Sequence, residues 1–445
     1  MKAACFAPSR LESSIPPLGK GTGRISEGER WDSQSKVCMI SATWPDLRCG
    51  VGDFAARLSE SIDNEGANVS VITSSDRRIK SHSSGARNIA IFGIVEKWNF
   101  AALPSILRKI SSLQPDVVHI QYETHMYGQK SMINFLPLVA RLMRFPCTLI
   151  VTLHEFEGPT LFSSKGILGG MGPKALVRFL LSRGLTKDLK LRALIRGCDS
   201  VIVTNEAQLN HLTKEFSAQR RKFIRILLGA SLPLTQSPGF NQQVFRRKQG
   251  LNDSDILLSY FGFLRPEKKV ELLLRATRKL LDRNCKVRLM ALASIGDVVN
   301  GEAAYYEELR SLARHLGIED RIVWMNYLSF QEVADYLGCS DICVLPFGSG
   351  VSEKRTSFIS AISLGLPVIT TKGPTGNSIP PDFRDHANML LVMPDNVDQL
   401  VGAIIELSES NSLRRDIGAK AKELSQKFSW EQIVDKTLMV YKERR

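Results

Sequence analysis

Short apolar segments alternate with amphipathic segments along most of the chain. In the first half of the chain each apolar segment is a short run rich in β-branched residues and bounded by polar or turn residues, which is typical of a buried parallel strand. The segments between them repeat apolar residues at helical spacing, as in DFAARLSESIDNEG, where Phe54, Leu58 and Ile62 lie four residues apart. The pattern predicts strands at 37–43, 69–73, 117–122, 148–154 and 200–204, and again at 256–263, 287–293, 321–327, 341–347, 366–371 and 389–393.

The alternation is interrupted once, at SLPLTQSPG (231–239), where two prolines remove the periodicity. We therefore predict an α/β protein with two doubly wound, Rossmann-like domains, at 36–232 and 240–428. Residues 1–35 are polar and rich in Gly, Ser and Pro, without the apolar stretch of a secretory signal, so we expect a disordered leader. In such sheets ligands bind outside the carboxyl ends of the strands, so the loops that follow strands are where chemistry is expected.

Composition narrows the class of protein. The 445 residues are 43% hydrophobic and 23% charged, as in globular domains with real cores, and no uncharged run of about 18 apolar residues predicts a transmembrane helix. Eight cysteines are scattered through apolar segments without CxxC pairs or zinc spacing. They favour buried reduced thiols, hence a cytoplasmic protein without a structural zinc site.

Charge is unevenly distributed. Residues 1–225 contain 31 Lys and Arg against 19 Asp and Glu, whereas residues 226–445 contain 28 against 26. The excess predicts an anionic partner for the first half. Segment 174–196 carries seven Lys or Arg among many leucines, so it fits a helix on an anionic membrane surface and an ordinary surface helix equally well. No aromatic-interleaved basic motif is present, so we expect no nucleic-acid partner.

Two histidines end predicted strands on the presumed ligand side. For His119 a buried histidine satisfied by its neighbours is the favoured interpretation. His154 ends a stronger strand and is the candidate catalytic imidazole, since histidine can bond a sugar hydroxyl or polarise a reacting group near neutral pH. Tyr122 and Glu155 lie beside them and are assigned, with His119, to the vicinity of the acceptor or sugar.

Glycines and cations follow two other strands. Gly50 and Gly52 lie between a strand and a helix and permit close approach of a ligand, although a tight turn is the alternative. The segment FGFLRPEKKVELLL places Arg265, Lys268 and Lys269 beside a helix start, where they can hold a diphosphate; a solvated basic turn is the alternative.

The stretch GVSEKRTSFISAISLGLPVITT predicts a loop, a helix that ends near Gly365, and a buried strand. Its helix start offers main-chain N–H groups and hydroxyls to an anion, and Glu353 can accept hydrogen bonds from ribose or sugar hydroxyls. The predicted donor-binding residues in this stretch are Ser352, Glu353, Thr356 and Ser357.

From residue 37 onwards the chain resembles the retaining, nucleotide-sugar-dependent glycosyltransferases of GT-B fold, the group called glycosyl transferases group 1. The resemblance rests on FGFLRPEKKVELLL, LGIEDRIVWMNYLSFQEVADYLGCSDICVLPF, SAISLGLPVITTKGP and FSWEQIVDKTLMVYKE, in that order. It implies two domains facing across a cleft, the first binding acceptor and the second the nucleotide-sugar, with 429–445 crossing back to the first.

The resemblance also implies roles. Arg265 and Lys268 are expected to hold the donor diphosphate and stabilise the leaving group, with Gly50 and Gly52 beside the same phosphates and His154 near the transferred sugar. Transfer is expected to retain the anomeric configuration without metal or cofactor. The D-x-D at 253–255 precedes its strand and does not resemble a metal–sugar motif.

The chain departs from the group's pattern at its second glutamate, where Ser360 stands, and at its first, where Ser352 stands beside Glu353. Phe263 occupies the place of the usual arginine, for which Arg265 is the expected replacement. Three functions are therefore open: a hexosyltransferase acting on saccharide or lipid-linked saccharide in glycoconjugate synthesis, a catalytically silent glycan-binding or scaffolding partner, and a sugar-nucleotide epimerase.

Overall fold

The computed structural model describes residues 35–76 except 46 and 48, 89–155 except 129, and 185–444 except 253, 295–301, 327 and 374–378. Nearly all of the predicted leader and half of the basic segment 174–196 lie outside these residues. The described residues divide into two compact units. The N-terminal unit contains those up to Ile226 together with those from Val434 onwards, and the C-terminal unit contains Leu227–Ile433.

The N-terminal unit is built on a parallel sheet whose described strands have the order β3-β2-β1-β4-β5-β6-β7. The strands are β1 Lys36–Ile40, β2 Asn68–Ser74, β3 Ala90–Val95, β4 Val117–Glu123, β5 Thr148–Glu155, β6 Ser200–Val203 and β7 Phe223–Arg225. The α-helices among the described residues of this part of the chain are α1 Gly50–Asn64, α2 Leu103–Leu113, α3 Met132–Leu142, α4 Leu185–Gly197 and α5 Glu206–Glu215.

The C-terminal unit is also built on a parallel sheet, whose strands have the order β10-β9-β8-β11-β12-β13. Its strands are β8 Ile256–Phe263, β9 Val287–Ser294, β10 Ile322–Asn326, β11 Ile342–Leu345, β12 Val368–Thr371 and β13 Leu390–Val392. Its helices are α6 Gln242–Lys248, α7 Val270–Asp282, α8 Glu302–His315, α9 Phe330–Leu337, α10 Thr356–Ser363, α11 Val397–Glu409 and α12 Asn411–Ser425. Helix α13, Trp430–Glu443, begins in this unit and ends in the N-terminal one.

The predicted fold class is confirmed: both sheets are parallel, and each reverses its strand order once. The reversal falls between β1 and β4 in one unit and between β8 and β11 in the other. At such a point the connections of the two neighbouring strands lie on opposite faces of the sheet and leave a crevice at the carboxyl ends, where ligands bind in sheets of this kind. The sequence pattern missed two strands, β3 and β7, which lie at the two edges of the first sheet.

Strand β4 explains how these sheets are built. Its residues from Val117 to Tyr122 are all buried, as expected for a strand covered on both faces. Alternate residues Val118, Ile120 and Tyr122 join the apolar core that includes residues of α2 and α3. The opposite face of the same strand carries His119 and Gln121, which are fully buried and polar. The exception to the apolar pattern is therefore confined to one face of the sheet.

In the part of the chain that the structure describes, no helix combines the length and apolarity needed to cross a membrane. The seven described cysteines are all free thiols.

Candidate functional site

In the C-terminal unit, loops after three strands converge at the point where the strand order reverses. Gly262, near the end of β8, has φ +147°, and a Cβ built on it would lie 3.8 Å from Cβ of Ser357 in the first turn of α10. Gly350, in the loop after β11, has φ +84°, and a Cβ there would lie 2.6 Å from the main-chain nitrogen of Gly373 after β12. Glycine is required at Gly350 by both its backbone angle and this close approach.

The structure brings a basic cluster, defined here as Arg265, Lys268, Lys269 and Arg355, to this place. The Phe347 ring, directly beyond β11, has Lys268 Nζ 5.1 Å and Arg355 Cζ 4.8 Å from its centroid. The two cations are thus at most about 10 Å apart and repel each other by roughly 1.7 kcal/mol or more at an effective dielectric constant of 20.

Two members of the basic cluster are oriented by carboxylates. Arg265 Nε donates to Glu302 Oε1 at 2.5 Å, and the Glu302 side chain is only 2% exposed. Lys269 Nζ lies 3.0 Å from Asp395 Oδ1, and this hydrogen bond, with the aspartate charge, raises the pKa of Lys269. Arg265 and Lys268 stay predictions as diphosphate ligands, but the structure shows that Arg265 is positioned through its Nε.

The SEKRTS segment lies at the start of α10. Glu353 and Ser357 are buried, whereas Ser352 and Thr356 are half-buried. The helix begins at Thr356 without a side-chain N-cap. Their role in donor binding stays a prediction. The structure places the segment beside the carboxyl ends of β8, β11 and β12.

Ser360, at the place of the group's second glutamate, is fully buried. Its Oγ lies 3.2 Å from both the main-chain nitrogen and Oγ of Ser231. The position therefore links α10 to the segment that follows β7, and its side chain is engaged inside the unit.

In the N-terminal unit, the two predicted glycines differ. Gly50 begins α1, and a Cβ built on it would meet nothing within 4 Å. At Gly52 a Cβ would lie 3.0 Å from Thr43 Oγ1 and 3.1 Å from Trp44 N. Gly52 therefore lets the helix start approach the chain just beyond β1, and its closest neighbours are the side chain of Thr43 and the backbone of Thr43 and Trp44.

His154 lies at the end of β5 and is 7% exposed. Its ring packs edge-on against Phe54 of α1, with centroids 5.0 Å apart and planes 75° apart. Its Nε2 is 2.8 Å from Gln121 Oε1. The structure thus brings His154 together with the helix that begins at Gly50, and Gln121 fixes one side of the imidazole.

His119 is completely buried. Its Nδ1 lies 2.7 Å from the hydroxyl of Tyr441 on α13, and its Nε2 lies 2.8 Å from Thr152 Oγ1. Burial, and then the charge of His154, lowers the pKa of His119 from 6.5 to about 3. Both ring nitrogens are engaged inside the unit, as in the interpretation favoured from the sequence; its assignment to the sugar vicinity stays a prediction.

The other two residues assigned to the acceptor vicinity differ in exposure. Tyr122 is buried, and its hydroxyl accepts from Asn134 Nδ2 at 3.0 Å. Glu155 is exposed and directly follows His154. Their roles stay predictions, but the hydroxyl of Tyr122 is already used inside the unit.

Sequence reasoning missed Arg355, Glu302, Gln121 and Tyr441. A signal existed for Gln121, because H-x-Q in β4 and T-x-H in β5 place polar residues on alternate positions of otherwise apolar strands. No local signal pointed to Glu302 or Tyr441, since each partner is distant in sequence. Among the described residues, no group of three or more His, Cys, Asp or Glu is placed to hold a metal ion.

Comparison with known proteins identifies the family. A family model described as "Glycosyl transferases group 1" matches residues 241–424, and one described as "Glycosyltransferase Family 4" matches residues 49–230. The chain belongs to the group 1 glycosyltransferase family. The identification agrees with the resemblance found in the motifs.

Individual relatives are distant. A D-inositol 3-phosphate glycosyltransferase of Kribbella flavida is 26% identical over 257 residues, which is 56% of this chain and 57% of that protein. An alpha-monoglucosyldiacylglycerol synthase of Streptococcus pneumoniae is 22% identical over 83% of this chain and 78% of its own length. The chain thus matches little more than half the length of the first of these relatives.

Solved structures confirm the fold. Sucrose-phosphate synthase from Thermosynechococcus elongatus has a TM-score of 0.66 at 18% identity, covering 92% of this chain and 99% of its own. The Anabaena protein Alr3699/HepE in complex with UDP-glucose has a TM-score of 0.64 at 15% identity, with the same coverage. Both likenesses establish the GT-B architecture of two parallel α/β sheets.

Proposed function

We propose that the protein is a retaining glycosyltransferase that moves a hexose from a nucleotide-sugar to a saccharide or lipid-linked saccharide in polysaccharide or glycoconjugate synthesis. The observation that carries this proposal is the basic cluster at the reversal of strand order in the C-terminal unit. Cations that lie close to one another at such a point favour a diphosphate. Family membership and the UDP-glucose complex of the Anabaena protein support the same class of donor.

In the proposed reaction, the bond between the anomeric carbon and the diphosphate oxygen breaks, and its electron pair stays with the diphosphate. Arg265 and Lys268 would stabilise the charge that develops there. The acceptor hydroxyl oxygen bonds to the same face of the anomeric carbon, and its proton passes to the departing phosphate. No metal or cofactor is part of this proposal, so chelation with EDTA should leave turnover unchanged.

The donor proposal is tested by thermal stabilisation with a panel of nucleotides and nucleotide-sugars. We expect one nucleotide base to raise Tm and the rise to be lost in Arg265→Ala. Arg278→Ala is the matched control, because Arg278 is an arginine of the same unit whose partner is Asp282, one turn along α7. Turnover is then measured as release of nucleoside diphosphate with and without acceptor; isomerised donor without acceptor would instead indicate an epimerase.

A catalytically silent glycan-binding partner is the second candidate. It is favoured by Ser360, because the side chain at the place of the usual glutamate is engaged with Ser231 inside the unit. Glycan binding without nucleotide binding would establish this alternative.

We also propose that the protein is cytoplasmic and acts at an anionic membrane surface through the basic segment 174–196. The positive excess of residues 1–225 and the free thiols support this. Co-sedimentation with vesicles of phosphatidylglycerol, compared with phosphatidylcholine vesicles, tests it; equal recovery with both would contradict it.

A further inference from the structure

A chain of buried hydrogen bonds crosses one face of the N-terminal sheet and ends at His154. His154 Nε2 lies 2.8 Å from Gln121 Oε1, and Gln121 Nε2 lies 3.3 Å from His119 Nε2. His119 Nδ1 lies 2.7 Å from the Tyr441 hydroxyl. Gln121, His119 and Tyr441 are completely buried, so water does not satisfy these groups. Such a network is stabilising only when every donor meets an acceptor, and this requirement fixes its hydrogens.

The orientation of the Gln121 amide follows from Met39. One amide atom lies 3.1 Å from the Met39 thioether sulphur, which has no hydrogen and can only accept. That atom must therefore be the nitrogen, since an oxygen there would place two acceptors in contact. The two amide hydrogens go to Met39 and His119, and the amide oxygen is left to His154.

The tautomers follow from the amide. His154 must donate Nε2–H to Gln121 Oε1, because the oxygen has no hydrogen. At His119, Nε2 faces two groups that can donate, the Gln121 amide and the Thr152 hydroxyl. A hydrogen on that nitrogen could be donated to Thr152 Oγ1, but it would leave the buried amide hydrogen of Gln121 without an acceptor. The arrangement that satisfies every group therefore has the hydrogen of neutral His119 on Nδ1, from which it is donated to Tyr441.

We propose that Gln121 is a positioning residue that holds His154 in the Nε2–H tautomer, and that His119 and Tyr441 hold Gln121 in turn. The lone pair of neutral His154 is then on Nδ1. The tautomer assignment stands on geometry alone, whereas its importance for sugar transfer rests on the proposed function. The sequence-distant helix α13 thereby supplies the last member of a chain that orients a residue at the end of β5.

The assignment is tested directly by ¹⁵N NMR of the full-length protein labelled with [¹⁵N]histidine, with the two signals assigned by His119→Asn and His154→Asn. We expect opposite tautomers in one protein: Nε2–H for His154 and Nδ1–H for His119 at neutral pH. An Nδ1–H signal for His154, or the same tautomer for both histidines, would overturn the proposal. This measurement needs no activity and no folded Gln121 variant.

The positioning role is tested with Gln121→Met, which has similar length but neither donor nor acceptor of an amide. We expect His154 to populate both tautomers and kcat to fall about 10-fold to 100-fold, with KM changed less than about twofold, as for loss of an orienting partner. Tyr127→Phe is the control: it removes a buried hydroxyl that bonds the main-chain oxygen of Gln121 and leaves the side-chain network intact.

The outcomes separate the two proposals. If His154 keeps one tautomer in Gln121→Met, or if the tautomers mix while kcat is unchanged, Gln121 is not its positioning residue. If wild-type protein shows the expected tautomers but turns over no nucleotide-sugar, the proposed function fails and the hydrogen-bond assignment stands.

Discussion

Buried His119 should make the N-terminal unit sensitive to mild acid. In the folded protein burial holds the pKa of His119 at about 3, whereas the ordinary value is 6.5. Between these values the unfolded chain binds a proton that the folded chain does not. Stability therefore rises with pH in this window and is lost as pH falls below about 6.5.

The magnitude follows from the two pKa values. From pH 7.5 to pH 5.0 the unfolded histidine goes from mostly neutral to almost fully protonated, while the folded one stays neutral. The free energy of unfolding should fall by about 2 kcal/mol from this group alone. Any folded-state pKa below about 4 gives nearly the same result. The side chains that face the ring are the hydroxyls of Tyr441 and Thr152 and the amide of Gln121, and the charge of His154 is the second cause that lowers the pKa of His119.

The assay is hydrogen exchange of the β4 amides, measured by mass spectrometry at both pH values and corrected for intrinsic rates. His119→Asn should abolish about 2 kcal/mol of the pH dependence seen in the wild-type protein. His211→Asn is the control, since His211 is partly exposed beside Glu215 in the same unit. If His119→Asn retains the wild-type pH dependence, His119 titrates normally and the description of the buried chain is wrong.

Three further predictions concern the C-terminal unit. Gly350→Ala should lower the free energy of unfolding by at least about 2 kcal/mol, because Gly350 has a positive φ and a Cβ there would lie 2.6 Å from Gly373. Gly402→Ala is the control and should be neutral or stabilising, because Gly402 lies in a helix with open space around it. Urea unfolding of the two variants and the wild-type protein measures the difference. Arg355→Gln should weaken binding of a nucleoside diphosphate about 10-fold in calorimetry, with Arg355→Lys closer to wild type; equal affinity for all three would remove Arg355 from the site. Glu302→Ala should weaken the same binding about 10-fold, whereas Glu302→Gln, which keeps an acceptor for the neighbouring arginine, should change it less than about threefold; equal losses would show that charge, not orientation, matters.

Much of the fold could be predicted because a buried parallel strand can be recognised from its own residues alone. The run of β5 or β6 is rich in β-branched residues and bounded by polar or turn residues, so it can be recognised without knowledge of its neighbours. The prediction missed β3 and β7, the strands at the two edges of the first sheet. Strand β7 has only three residues, of which one is buried, so its identity depends on pairing with β6.

The site was less predictable, because several of its residues are recognised only by side-chain contacts with residues that are distant in sequence. Arg265 could be selected from its place after β8, but its carboxylate partner Glu302 lies 37 residues away, and nothing near it marks that role. His154 could be selected at the end of its strand, but Tyr441 enters the same network from the last helix. Residues that act through other residues leave a weaker trace in sequence than residues that end a strand.

The two units arrange their polar groups by different physical means. In the C-terminal unit, the basic cluster lies where glycines let loops approach one another. Carboxylates orient two of its members, Arg265 and Lys269, by forming ion pairs with them. In the N-terminal unit, His119 is kept uncharged by burial and is linked to His154 through a neutral amide. A charged arrangement suits the binding of a diphosphate, whose own charge offsets the repulsion among the cations. A neutral, hydrogen-bonded arrangement suits a residue that must present one defined nitrogen to an uncharged sugar, because its orientation does not depend on a counter-ion. We therefore expect the proposed reaction to divide its tasks between the units, with the basic cluster binding the diphosphate and the tautomer of His154 orienting the sugar.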